Sequence, residues 1–234
     1  MLSAIILGAT AMGGCCSKCR GDKSAMYYGE KLNSISHLVG AVMALIGLGA
    51  LLTVGIQAGD TKLTLVFGVF GVAMVLLYTM STLYHSFSPP RLKRLFKVLD
   101  HVSIYLLIAG TYTPLMLITV NTDSGERILA LVWALAGIGI LTECFLSGRA
   151  VKVLQMLIYV LMGWACFLDI GALKTAMPEA GFFWLIWGGV AYTVGVIFYI
   201  IDKVKWFTHA HGIWHFFVLG GSSCHFITVI TYVR

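Results

Sequence analysis

Seven apolar runs, each about as long as a lipid bilayer is thick, limit the folds that this chain can adopt. A helix needs about 20 apolar residues to cross a hydrocarbon core of about 30 Å. The runs are 34–56, 63–84, 98–120, 128–146, 151–173, 181–201 and 211–232. Only 11% of the residues are charged, whereas soluble domains carry roughly 25%. The sequence therefore predicts an integral, multi-pass membrane protein.

The length of these runs also selects the type of spanning structure. Backbone groups in lipid must form their hydrogen bonds internally, so only helices and closed barrels cross membranes. Barrel strands are about ten residues long and alternate in polarity, which does not fit continuous apolar runs. The predicted fold class is an all-α bundle of seven transmembrane helices.

The basic residues predict the orientation of this bundle. Twelve of the 16 Lys and Arg residues lie before the first run or in the connections that follow the second, fourth and sixth runs. Basic connections stay on the cytoplasmic side. We therefore expect the N-terminus to be cytoplasmic and the C-terminus outside, in the inner or plasma membrane of the cell. The same bias explains the net charge of +6 without nucleic acid, so membrane lipids are the expected partners.

The first 25 residues form a separate segment, and we place the domain boundary between residues 25 and 26. Residues 1–14 are apolar but too short to span a membrane, and basic residues follow them instead of preceding them as in a signal peptide. Cys15, Cys16 and Cys19 are compatible with a soft metal site or with acylation. A start of translation at Met26 is an equal alternative, which would leave 26–234 as the mature domain.

Polar residues that interrupt the apolar runs gather at the predicted cytoplasmic ends. They are Glu30, Asn33, His37, Ser81, His85, Asp100, His211 and His215, with Asp100 at the start of the third run. Within each helix their spacing of three, four or seven residues places them on one face. A bundle of these helices would bring the polar faces together around one pocket.

Two of these residues have the spacing of metal ligands. His211 and His215 are one helical turn apart, as in helices that present two imidazoles to one metal ion. His85 is predicted at the same depth and is the best candidate for a third ligand, and Asp100 is a natural partner for a ligand or a base. Spacing and depth equally allow a proton relay or hydrogen bonds between helices.

The other histidines have simpler interpretations. A single histidine at a helix end is usually an interfacial residue, which is the first interpretation of His37 taken alone, and it also applies to His101 and His209. His225 lies about 15 Å deeper than His215 by helical rise, and we interpret it as a hydrogen-bonded core residue.

Three more residues within the runs have structural interpretations. Glu143 and Asp169 lie near the ends of their runs, where a side chain reaches toward headgroups at little cost. Pro114 is expected to bend the third span.

Three polar signatures together resemble a known family. They are Glu30-x2-Asn33-x3-His37, Ser81-x3-His85 followed by Asp100, and His211-x3-His215. These signatures are similar to the three motifs of the progestin and adipoQ receptor superfamily. The segments LDHVSIYLLIAGTYTP (99–114) and HGIWHFFVLGG (211–221) resemble its bacterial hemolysin III branch. The likeness covers residues 30–234.

That resemblance implies a seven-helix fold with a cytoplasmic N-terminus and a Zn²⁺ ion near the cytoplasmic face. The ion would be held by His85, His211 and His215 together with a water, and Asp100 and Ser81 would lie beside that water. The family's eukaryotic receptors are similar to lipid amidases with ceramide-like substrates, and its bacterial members are linked to membrane homeostasis. This sequence has no counterpart of the receptors' long cytoplasmic domain, so we do not expect receptor-type signalling.

The function predicted on this basis is ceramidase-like hydrolysis of a lipid amide or ester at the cytoplasmic leaflet. Asp100 would accept a proton from the metal-bound water, and Ser81 would act as an oxyanion or water partner. One alternative is a non-enzymatic regulator of membrane state, in which structural zinc joins the second and seventh helices. Another is a cytolysin, although no polar face runs through a whole span. Asp100→Asn distinguishes the first two, because only the hydrolase requires that carboxylate.

Overall fold

The structure, a computed structural model, describes residues 30–234. Within this range the chain forms eight α-helices: α1 (Glu30–Gln57), α2 (Thr61–Ser86), α3 (Pro90–Pro114), α4 (Asp123–Phe145), α5 (Arg149–Gly163), α6 (Ile170–Ala176), α7 (Glu179–Lys203) and α8 (Ala210–Tyr232). A short 3₁₀ turn joins α5 to α6, and the three together form the fifth of seven helical segments long and apolar enough to cross a membrane. The predicted all-α, seven-span fold is confirmed.

Several helices begin where side chains satisfy their first backbone N–H groups. The Asp60 carboxylate accepts a hydrogen bond from the backbone of Leu63 at 2.9 Å. The Thr122 hydroxyl accepts one from Gly125 at 3.2 Å. The first N–H groups of a helix have no partner within the helix, so such side chains stabilise its start.

The third helix begins earlier than its apolar run. The run starts at residue 98, but α3 starts at Pro90, a residue suited to the first turn because it needs no backbone donor there. Asp100 therefore lies about 15 Å along the helix, given a rise of about 1.5 Å per residue, and not at its start. Hydropathy marks the part of a helix that meets lipid, and the polar turns before it carry no such signal.

Pro114 marks a change of helix type in the third span, and the predicted bend there stays a prediction. After this residue the α-helix continues as a π-helix over Leu115–Val120. Proline has no N–H to donate and its ring crowds the preceding turn, which favours such a local change. The segment ends at Asn121, whose φ of 45° lies in the left-handed region.

The order of helix packing brings distant polar segments together. α1 packs against α2 and α8, α2 packs against α3, α3 packs against α4, and α7 packs against α8. Because successive spans alternate in direction, the start of α1, the end of α2, the early turns of α3, the end of α7 and the start of α8 meet at one end. We call this the histidine end. Its assignment to the cytoplasmic side stays a prediction from the basic residues.

Glycines permit the close helix contacts of the core. A Cβ atom at Gly139 of α4 would overlap the ring of Tyr105 from α3, which is fully buried. A Cβ at Gly40 of α1 would lie 2.6 Å from the ring of Tyr78 in α2. Small residues commonly mark such contacts in membrane bundles, because helices there associate mainly through packing.

We expect Gly139→Ala to lower the stability of the bundle, because the buried Tyr105 ring has to move for the new methyl group. Overpacking of this kind typically costs about 1–3 kcal/mol. The measurement is the thermal unfolding midpoint in detergent. Gly137→Ala, in the same helix, is the matched control because its new Cβ would have no neighbour within 4 Å. Equal midpoints for the two variants would contradict the observed α3–α4 contact.

The predicted leader of residues 1–25, with Cys15, Cys16 and Cys19, lies outside the described residues. Its boundary at residue 26 therefore stays a prediction.

Candidate metal centre

Three histidines from two helices meet at the histidine end. His85 lies in the last turn of α2, and His211 and His215 lie one turn apart at the start of α8. One nitrogen from each ring lies within 4.8 Å of the other two, an arrangement that could hold a metal ion. The ring centroids are 4.8–5.2 Å apart. The structure thus brings together the three ligands that were predicted from spacing and depth.

The two buried rings of this group are held through their Nδ1 atoms by α1. His85 Nδ1 contacts the carboxylate of Glu30. His215 Nδ1 lies 3.2 Å from the backbone oxygen of Asn33. Both oxygens only accept hydrogen bonds, so in the neutral rings Nδ1 carries the hydrogen and Nε2 carries the lone pair. The Nε2 atoms are therefore free to bind a metal ion.

The third ring has a carboxylate nearby. His211 Nδ1 lies 3.3 Å from Oδ2 of Asp202, in the last turn of α7, without forming a well-aligned hydrogen bond. An oxygen at Nδ1, as His85 and His215 have it, is the arrangement that orients metal-binding histidines in proteins, and Asp202 is placed to do the same for His211. His85 Nε2 is buried and has no hydrogen-bond partner in the described part of the chain. Because buried polar atoms nearly always have partners, this nitrogen fits a metal ligand.

Glu30 connects three helices at this site. Besides His85 of α2, its carboxylate lies 3.2 Å from Lys93 Nζ of α3. Lys93 also donates to the backbone oxygen of Tyr84, at 2.7 Å. Sequence spacing predicted Glu30 only as a supporting polar residue. The structure shows that it contacts the His85 ring directly and forms an ion pair with Lys93.

Asp100 and Ser81 lie beside the three histidines. The buried Ser81 hydroxyl lies within hydrogen-bonding reach of the Asp100 carboxylate, whose charge also interacts with His85 and His211. A carboxylate next to a metal site is suited to accept a proton. The structure therefore places the two residues that were predicted to be catalytic next to each other, and their catalytic roles stay a prediction.

His37 is a buried neighbour of the metal centre. The residue is 3% exposed. Its ring stacks on the ring of His215, with the ring centroids 3.6 Å apart and an angle of 14° between the ring planes. The interpretation of His37 as an interfacial residue is wrong, because the face that it shares with Asn33 points into the bundle and not toward lipid headgroups.

Asp202 is a functional candidate that sequence reasoning missed. It lies near the end of an apolar helix, where a charged residue is ordinary, and nine positions separate it from His211. Only the reversal of the chain between α7 and α8 brings the two side chains together. A signal that could have revealed it is the recurring need of metal-binding histidines for an acceptor at the second nitrogen.

We expect Asp202→Asn to weaken metal affinity by about tenfold, at the lower end of the usual range for such partners. The amide keeps the shape of the side chain but removes the negative charge that lies 3.3 Å from His211 Nδ1. Competition with a chelating dye measures the affinity. Asp169→Asn is a suitable control, because Asp169 lies at the start of α6, where it accepts a hydrogen bond from Ala172 and is not part of the histidine cluster. Unchanged affinity in Asp202→Asn would show that His211 does not depend on this contact.

The remaining predicted residues have separate environments. His101 Nδ1 lies 2.8 Å from Oε1 of Glu143, and the Glu143 side chain is only 10% exposed. The expectation that Glu143 reaches toward headgroups is wrong, because its carboxylate pairs with His101 of α3. His209 is exposed before α8, as expected. His225 Nε2 lies 3.2 Å from the backbone oxygen of Leu185, which confirms a hydrogen-bonded core residue.

Comparison with known proteins gives matches along most of the chain. A family model described as haemolysin-III related matches residues 26–226. Hemolysin-3 of Bacillus cereus is 43% identical over 204 residues, which are 87% of this chain and 91% of that protein. The hemolysin-3 homolog of Bacillus subtilis (strain 168) is 38% identical over 203 residues, with 87% and 93% covered.

A human protein shows a weaker likeness. Monocyte to macrophage differentiation factor is 26% identical over 170 residues, which are 70% of this chain and 69% of that protein. The family match covers six of the seven membrane-crossing segments in full, most of the seventh, and all three histidines of the site. This chain therefore belongs to the haemolysin III family of multi-pass membrane proteins.

Proposed function

We propose that this protein is a zinc-dependent hydrolase that cleaves an amide or ester bond of a membrane lipid at the cytoplasmic leaflet. One observation carries the proposal: His85, His211 and His215 converge, and the oxygens at Nδ1 of His85 and His215 direct the lone pairs of those rings to Nε2. Imidazole ligands favour zinc among the common divalent metals of this type of site. Three protein ligands are typical of catalytic zinc, whereas structural zinc usually has four.

The residues around the three ligands support hydrolysis. A zinc ion would supply Lewis acidity, which polarises a carbonyl group and makes water a stronger nucleophile. Asp100 would take up a proton at a carboxylate oxygen. Ser81 would orient that carboxylate through the hydrogen bond that it donates. Glu30 would keep the His85 ring in one orientation through its Nδ1 contact.

The position of the site favours a lipid substrate. Its ligands lie on helices long and apolar enough to cross a membrane, so a substrate in the bilayer can reach the site laterally. The resemblance to lipid amidases points to N-acyl lipids of the ceramide type. Turnover of such lipids would contribute to membrane homeostasis. The basic residues that flank the histidine end support its cytoplasmic location.

Metal analysis and a lipid panel test this function together. We expect the purified protein to contain one zinc per chain and to release fatty acid from at least one N-acyl lipid or ester, detected by mass spectrometry. Protein stripped of metal with a chelator should lose the activity and regain it with added zinc. One zinc per chain with no product from any lipid would instead favour a regulator of membrane state with structural zinc.

A further inference from the structure

The two ring nitrogens of His37 can form more hydrogen bonds than their surroundings provide. The ring is buried between the face of His215 and the edge contact of Tyr78, whose centroid is 5.1 Å away. Neither His37 nitrogen has a well-formed hydrogen bond in the described part of the chain. A neutral imidazole has one donor and one acceptor, and both are expected to have partners when buried.

The polar groups around His37 form hydrogen bonds with other residues. The Tyr78 hydroxyl donates to Ser222 Oγ at 2.7 Å and so does not serve His37. His215 Nδ1 is engaged with the backbone oxygen of Asn33. The backbone of His215 also lies near the His37 ring, and a carbonyl there would satisfy at most the single N–H. The acceptor nitrogen is left without a donor.

Stacking alone does not explain a histidine at this position. A phenylalanine ring has nearly the same flat shape and would cover His215 without burying two polar atoms. Burying polar groups without partners is unfavourable. A hydrogen-bonding partner for these nitrogens would offset that cost.

We propose that His37 hydrogen-bonds the polar head of a lipid-like ligand that binds at the three-histidine centre, and so helps to select that ligand. The proposal rests on the proposed function and adds a residue for substrate recognition. Among the four clustered imidazoles, those of His85 and His215 have an oxygen acceptor at Nδ1, and His211 Nδ1 lies 3.3 Å from the Asp202 carboxylate. His37 is the member of this cluster whose two ring nitrogens are both buried and both without a hydrogen-bond partner in the described part of the chain. The ligand class is a long-chain molecule with an N–H or O–H group beside a carbonyl, as in N-acyl lipids.

A long-chain fatty hydroxamate tests this role without requiring turnover. Its head group binds zinc and carries N–H and O–H groups next to a carbonyl. We expect His37→Phe to keep zinc affinity within about twofold, because stacking on His215 is retained. The hydroxamate should bind about tenfold more weakly, the effect of losing one good hydrogen bond. Titration calorimetry of the zinc-loaded full chain in detergent measures the affinity.

Matched variants separate hydrogen bonding from shape. His37→Gln keeps a donor and an acceptor and should recover part of the affinity for the hydroxamate. His225→Phe removes a histidine whose hydrogen bond lies deeper in the bundle, and it should change neither zinc nor hydroxamate binding. Should the phenylalanine variant not fold, His37→Leu also removes the nitrogens and carries the same expectation.

Three results would overturn the proposal. One is equal hydroxamate affinity in wild type and His37→Phe. Another is a tenfold loss of zinc affinity in His37→Phe, which would make His37 a support for the ligands and not a contact for the substrate. The third is zinc-loaded wild type that does not bind the hydroxamate. Wild type that binds no zinc would instead refute the proposed function itself.

Discussion

His211→Ala is expected to leave the purified protein with almost no bound zinc. The substitution removes one of three imidazoles that surround the proposed ion and also leaves Asp202 without its partner. Loss of an outer partner alone weakens metal binding about 10- to 100-fold, so loss of a ligand should exceed about 100-fold. Elemental analysis after gel filtration measures the zinc content, and lipid hydrolysis should disappear with the metal.

His209→Ala is the matched control for this experiment. His209 lies two positions before His211, is exposed and makes no side-chain hydrogen bond to cap α8. The His209→Ala variant should retain one zinc per chain and full hydrolytic activity. Equal zinc content in the two alanine variants would show that the ion, if bound, lies elsewhere, and the proposed hydrolase site would be untenable.

Asp100→Asn has the second large expected effect, on turnover and not on metal content. The amide cannot accept the proton as the carboxylate does, although it keeps the shape of the side chain and can still bind Ser81. General-base catalysis typically contributes about 10²- to 10⁴-fold, so we expect a fall in kcat within this range. Zinc affinity should change by only a few fold, because His85, His211 and His215 are untouched. Fatty-acid release under saturating lipid measures the rate.

Asp60→Asn provides the control for the same chemical change. Asp60 caps the start of α2 at the other end of the bundle, and asparagine caps helices about as well. The rate of fatty-acid release by the Asp60→Asn variant should match that of the wild type. If Asp100→Asn kept full activity in hydrolysis or in a membrane-fluidity assay, the carboxylate would have no catalytic role. A regulator with structural zinc would then be the better description.

Hydropathy predicted the seven spans because lipid imposes one simple requirement on each of them. About 20 apolar residues are needed whatever the neighbouring helices do. The same rule failed at polar helix ends: α3 extends to Pro90, well before the run that begins at residue 98. Turns outside the hydrocarbon are stabilised by caps and by tertiary packing, and neither appears in average hydropathy.

The candidate metal ligands were predictable to the extent that they share a helix. His211 and His215 are one turn apart on α8, and that periodicity is a local property of the chain. His85 could be assigned only through its predicted depth. The backbone oxygen of Asn33 had no signal at all, since every residue has one, and its contact with His215 depends on how α1 is rotated against α8.

The sequence by itself determined that this chain crosses a membrane with seven helices and places its polar residues at one end. Those properties follow from local solvation and helical periodicity. Only the tertiary structure decided which oxygen holds each imidazole, that Glu143 pairs with His101, and that His37 lies buried against His215. These contacts depend on the rotation and separation of packed helices, which are set by the fit of many side chains at once.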